Sequence, residues 1–180
     1  MAELARRVAD RLLAVTPLSG WTLGYAVLGG LAAVAVRGPL VRHTGWRPGW
    51  TLASLFALAA VLALTLAPSR DYPRPLGVRS CLRGAAGQVG NGSVVALGGA
   101  EAQLNLVLLA PLGVVLVLAT RRWLVAAVVV VVLPALVELT QTQVPGRTCS
   151  GSDYVANVAG AVGGVLLGGV LLVRPSRSGR

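Results

Sequence analysis

Five stretches of this chain, at about residues 18–36, 49–67, 104–120, 123–143 and 154–173, are almost wholly apolar and hold one carboxylate between them, Glu138. The hydrocarbon core of a bilayer is about 30 Å thick and a helix rises about 1.5 Å per residue, so about 20 such residues make one crossing. The 123–143 run is rich in β-branched residues, which in water suggest a strand. In lipid a lone strand leaves its backbone polar groups unpaired, so this run too must be helical. The expected fold is an all-α integral membrane protein, a bundle of about five transmembrane helices, with the whole of residues 1–180 forming a single membrane domain.

Composition removes the rival classes. Apolar residues make up 55% of the chain, charged residues only 12%, and mean hydropathy is +0.75. A soluble domain carries about a quarter charged residues, and a disordered chain lacks the apolar residues found here in surplus. All 16 basic residues are Arg, and the net charge is +10. They sit in the gaps between apolar runs rather than on one face among aromatic residues, which argues against a nucleic-acid partner. The Arg-only, Ala/Gly/Val-rich usage suggests a high-GC bacterial source.

Ahead of the first run, Leu4, Val8, Leu12 and Val15 recur at helical spacing among Glu3, Arg6, Arg7, Asp10 and Arg11. This pattern predicts an N-terminal amphipathic helix lying in the membrane interface. The rival is a signal peptide with Arg6 and Arg7 as its basic region, but no clear small-x-small cleavage site follows. Residues 69–103 form the only long connection, rich in Gly, Pro and Arg, expected as a loop with a short surface helix near its end. No internal repeat is visible.

Positive residues normally orient such a bundle, but here they tie. Arg6, Arg7, Arg11, Arg70, Arg74, Arg79, Arg83 and Arg147 fall on one side of a five-span topology. Arg37, Arg42, Arg47, Arg121, Arg122, Arg174, Arg177 and Arg180 fall on the other. Cys81 in the long connection and Cys149 in the last one share a side, and two such cysteines fit a disulfide, which persists on an oxidising, extracytoplasmic face. Two unrelated free thiols are the alternative. With the bridge, the long connection lies outside the cell membrane and the C-terminus is cytoplasmic.

Ionisable groups inside a span are costly and mark interior polar sites. Glu138 is followed at i+3 and i+4 by Gln141 and Thr142, on one helix face. The plainer reading is an interhelical hydrogen bond. Asp153 and Asn157, one turn apart, begin the next helix, where Asp153 also suits an N-cap. Between them Pro145-Gly146-Arg147 forms a tight turn whose guanidinium is placed to pair with a carboxylate or an anionic group, or simply to sit at the surface. Asn105, ahead of Pro111 and Gly113, is expected to face the bundle. Ala156, Gly160, Gly164 and Gly168 recur every fourth residue, a stripe for close helix packing.

Asn105 through Pro111-Leu112-Gly113, Glu138-x-x-Gln141, Pro145-Gly146-Arg147, Asp153, Asn157 and Gly160 together resemble the VanZ-like family. The resemblance covers about residues 50–173, four helices, and leaves residues 1–49, the amphipathic segment plus one extra span, outside it. An acidic residue often found midway between the Arg and the Asp is absent; Ser150 or Ser152 stands there. The resemblance implies a bacterial membrane protein, and its namesake is an accessory factor in resistance to the glycopeptide teicoplanin.

No nucleophile and base come together. His43, the only histidine, lies in the first connection, opposite Glu138 and Asp153, which excludes a Ser-His-Asp set and a His-built zinc site. Phosphate-binding loops of the nucleotide-hydrolase kind are absent. What remains is Asn105, Glu138, Gln141, Arg147, Asp153 and Asn157: hard oxygens and one guanidinium, with no cofactor implied, although a divalent cation is possible. The favoured expectation is binding of a cell-envelope lipid or lipid-linked precursor by its polar head, altering envelope properties or glycopeptide susceptibility. The alternatives are an intramembrane enzyme acting on such a precursor, and a small transporter or subunit of a membrane complex. Beyond the lipid bilayer, the sequence names no partner and no oligomeric state.

Overall fold

The computed structural model describes residues 19–68, 77–90 and 100–173. They form six helices and no strand: α1 (Gly20–Thr44), α2 (Pro48–Leu66), α3 (Val78–Gly90), α4 (Ala100–Thr120), α5 (Trp123–Gln141) and α6 (Gly151–Val173). All but α3 are long and apolar enough to cross a membrane. The amphipathic helix expected in the first fifteen residues lies outside the described residues.

Local chemistry sets the helix ends. Ser19 and Thr22 cap α1 reciprocally, each side-chain oxygen accepting the other residue's backbone N–H at 3.3 Å. The helix runs on to Thr44, past the expected end near Val36, and stops where Gly45 takes the left-handed conformation at φ 69°. Helix α2 opens on Pro48, whose missing N–H costs nothing there, and closes just before Pro68. Helix α5 ends at Gln141 rather than Gln143. The N–H groups of Gln143 and Val144 bond back only three residues, to Thr140 and Gln141, and Pro145 disfavours the helical conformation for the residue before it.

The most extensive packing joins α4 and α6. A Cβ at Gly160, Gly164 or Gly168 would strike the carbonyl oxygens of Leu106, Ala110 and Val114 in turn, and one at Gly113 would meet the carbonyl of Ala161. Both series ascend together in steps of four, so α4 and α6 run parallel with their backbones in contact, as a small-residue stripe allows. Around this pair close Val61 of α2 and Val130 of α5, with Leu109, Leu112, Leu116 and Val165. Helix α1 is peripheral. It rests Gly29 and Gly30 on Ala59 and Phe56 of α2 and turns Leu23, Val27, Leu28 and Leu31 outward, an apolar face suited to lipid.

The long connection is not the loop with a late helix expected from its composition. Helix α3 occupies its middle, and its last residues already belong to α4. Cys81 of α3 is buried, and it is joined to Cys149 with 5.4 Å between their Cα atoms. The bridge spans 68 residues of sequence. Closing so long a loop removes freedom from the unfolded chain, so the Cys81→Ser/Cys149→Ser double variant should lose about 2 to 5 kcal/mol. Equal unfolding midpoints for that variant and the oxidised wild type in detergent would show that the cross-link contributes nothing.

Candidate functional site

The C-terminal ends of α2 and α5 meet the N-terminal ends of α4 and α6 at one end of the bundle, and α3 packs there against α6. Every helix end leaves four backbone groups without intrahelical partners. The last turn of α2 has no basic residue of its own to meet its carbonyls. They are met from a distance. Arg147 donates from Nε to the carbonyl of Ala67 at 2.8 Å and from Nη2 to that of Leu64 at 2.7 Å. Gln141 donates from Nε2 to Thr65 at 2.9 Å.

This placement changes the expected role of Arg147. The turn does bring its guanidinium inward, but both donors of that fork end on main-chain carbonyls, not on Glu138 or Asp153. A cation at the negative end of a helix is favourable in itself. Partial burial pulls the Arg147 pKa below its ordinary value by desolvation.

Glu138 lies on the interior face of α5 and is only 6% exposed. Its Oε2 accepts the N–H of Ser150 at 2.8 Å. Ser150, directly after the disulfide-held Cys149, is also the N-cap of α6. Its Oγ accepts the N–H of Asp153 at 3.4 Å, and its hydroxyl meets that of Ser152 at 2.7 Å. Asp153 is therefore not the cap. The helix begins three residues before Tyr154, where the apolar pattern starts, because Gly151, Ser152 and Asp153 form a capped polar first turn.

One turn on, Asn157 is 2% exposed, and its Oδ1 is buried with no hydrogen-bond partner among the described residues. Asn105 shares the interior face of α4 with Leu109, Leu112 and Leu116, at i+4, i+7 and i+11, and stands near its N-terminal end. Gly160, three residues after Asn157, abuts Leu106. The structure thus brings Asn105, Glu138, Asp153 and Asn157 to the same end of the bundle, while Gln141 and Arg147 tie that end to α2. His43 lies exposed at the opposite end.

A family model, VanZ/LLP1, matches residues 54–172. The chain belongs to the VanZ/LLP1 family. The match takes in most of α2 and all of α3 to α5, reaches the end of α6 and leaves α1 outside, in keeping with the peripheral packing of that helix. No curated protein and no solved structure matches the chain.

Reading the residues alone missed two parts of this VanZ/LLP1 site. The carbonyls of Leu64, Thr65 and Ala67 went unseen because any residue can supply a main-chain acceptor. The one signal available was Pro68, which ends α2 and leaves its last carbonyls in need of donors. Ser150 was noted only as a replacement for an acid, whereas its hydroxyl caps α6 and its N–H holds Glu138. Among the described residues no three His, Cys, Asp or Glu side chains gather as a metal centre requires.

Proposed function

We propose that this VanZ/LLP1 protein receives the polar head of a cell-envelope lipid or lipid-linked precursor at the α2/α5/α6 end of the bundle, and so alters envelope properties or glycopeptide susceptibility. The observation that carries this reading is the Oδ1 of Asn157, buried without a partner among the described residues at the end of the bundle that also holds the buried Glu138. A buried acceptor costs free energy until a donor reaches it. With Arg147 committed to α2, the unpartnered group left at the site is an acceptor, the Oδ1 of Asn157, which suits a head group presenting hydroxyl or ammonium donors better than a bare phosphate. The Cys81–Cys149 bridge supports an extracytoplasmic position for this end, since disulfides persist on the oxidising side, and hence a cytoplasmic C-terminus.

The test is native mass spectrometry of the full chain, extracted in mild detergent, for a co-purifying lipid. Wild type and His43→Ala should carry it. Asn157→Ala and Glu138→Ala should lose it by on the order of tenfold or more, the equivalent of a hydrogen bond to a buried polar or charged group. A wild type free of lipid adducts, or an Asn157→Ala variant retaining the same adduct in full, would overturn the reading.

A further inference from the structure

The end of the bundle opposite the polar site has a chemistry of its own. Two connections form it, residues 45–47 between α1 and α2 and the Arg121-Arg122 hairpin between α4 and α5. The backbone N–H of Arg47 donates to the carbonyl of Ala119 at 3.1 Å, which binds the first connection to the end of α4. Arg42, Arg47, Arg121 and Arg122 are all exposed there, as are Trp50 and Trp123, and Trp46 is half-buried. Among the described residues no carboxylate answers these cations. The chain has none between Asp10 and Asp71 and none between Glu101 and Glu138. Glu101, Glu138 and Asp153, the acidic residues of the described helices, all stand toward the other end.

The hairpin adds an independent sign. Arg121 holds a φ of 55° and donates its N–H to Val117 at 2.8 Å, closing α4 in the left-handed conformation. Glycine is the residue that adopts this conformation without strain, and a side chain there is held against its own preference. The sequence holds 23 glycines, yet this position carries an arginine. Backbone geometry does not account for that choice, whereas a cation held outward at the tip of the turn does.

We infer that this end is a docking surface for anionic phospholipid head groups, with Arg42, Arg47, Arg121 and Arg122 meeting the lipid phosphates. The Trp side chains lie at the level of the glycerol backbone, where indole rings settle in membranes. A guanidinium meets phosphate oxygens through paired N–H donors. The surface is separate from the polar site and stands whether or not that site binds a head group.

The tryptophans supply the probe. Trp46, Trp50 and Trp123 belong to this end and Trp21 to the other, so a Trp21→Phe background reports on the arginine end alone. The full chain is reconstituted in phosphatidylcholine vesicles, and phosphatidylglycerol or phosphatidylcholine brominated in its acyl chains is titrated in, with fluorescence quenching yielding the relative association constant. An exposed arginine at an anionic surface strengthens attraction by up to about fivefold, so phosphatidylglycerol should be preferred several-fold. Arg121→Gly should reduce that preference by about twofold to fivefold without lowering the thermal midpoint of unfolding. The Arg42→Gln/Arg47→Gln/Arg121→Gln/Arg122→Gln variant should abolish the preference, and Arg79→Gln/Arg83→Gln on α3 should leave it intact. About 1 M salt, which shortens the screening length to about 3 Å, should abolish it in the unmutated arginine background. Equal quenching by the two lipids in that background would overturn the inference. So would a preference that survives high salt, which needs no variant to fold, or one lost equally when the α3 arginines are replaced.

Discussion

Replacing Gly164 with valine is expected to cost about 3 kcal/mol or more, while Gly163→Ala one residue away should be neutral or stabilising by up to about 1 kcal/mol. The two glycines differ only in what a side chain would meet. At Gly164 a Cβ runs into the carbonyl of Ala110, a backbone atom that can move only if α4 and α6 separate. Separation would break the contacts of Leu109, Leu112 and Val165 that depend on it. At Gly163 nothing lies within 4 Å, so a methyl group points into lipid space and only the helix-forming advantage of alanine remains. Thermal unfolding of both variants in the same detergent decides the matter. If Gly164→Val melts with the wild type, the parallel α4–α6 contact does not hold this bundle together.

Arg147→Ala should be the most damaging change in the connections. It removes two charge-assisted hydrogen bonds, each worth about 1.5 to 3 kcal/mol, and leaves the carbonyls of Leu64 and Ala67 without their donors. The loss should show as a lower unfolding midpoint. Arg147→Lys should recover only part of it, because one ammonium cannot reach two carbonyls as a planar fork does. Where expression of the wild type changes glycopeptide susceptibility, Arg147→Ala should lose that effect together with stability. Glu138→Ala and Asn157→Ala should lose it while the protein still accumulates. An Arg147→Ala protein that melts normally but has lost the effect would return Arg147 to the ligand side of the site.

The contrast between Gly163 and Gly164 also shows how far residue patterns reach. The stripe Ala156, Gly160, Gly164 and Gly168 was legible as a packing face, Glu138 with Gln141 as polar residues on one helix face, and Asp153 with Asn157 as polar residues on another, because helical spacing puts them on shared faces. The partner of the stripe, its parallel sense and the depth of contact were not legible. A run of apolar residues carries no label for which other run it will touch. Helix α3 lies earlier in its connection than expected: Val78, Cys81, Leu82 and Ala85 do recur at helical spacing, but so short a run among Gly, Pro and Arg does not stand out, and its contact on α6 and its disulfide come only with the fold.

Arg147 marks the boundary most clearly. A membrane-spanning all-α architecture follows from residue order alone, because lipid cannot satisfy a bare backbone and five apolar runs of bilayer length leave no other solution. The inward position of Glu138 follows for the same reason, since a carboxylate is too costly against lipid. The partners of the guanidinium were decided by tertiary structure. The sequence offered two carboxylates and an outside anion as its mates, but the fold set the unsatisfied carbonyls of α2 beside it. Main-chain acceptors are identical at every residue, so only the packing of α2 against α5 and the last connection could choose between them.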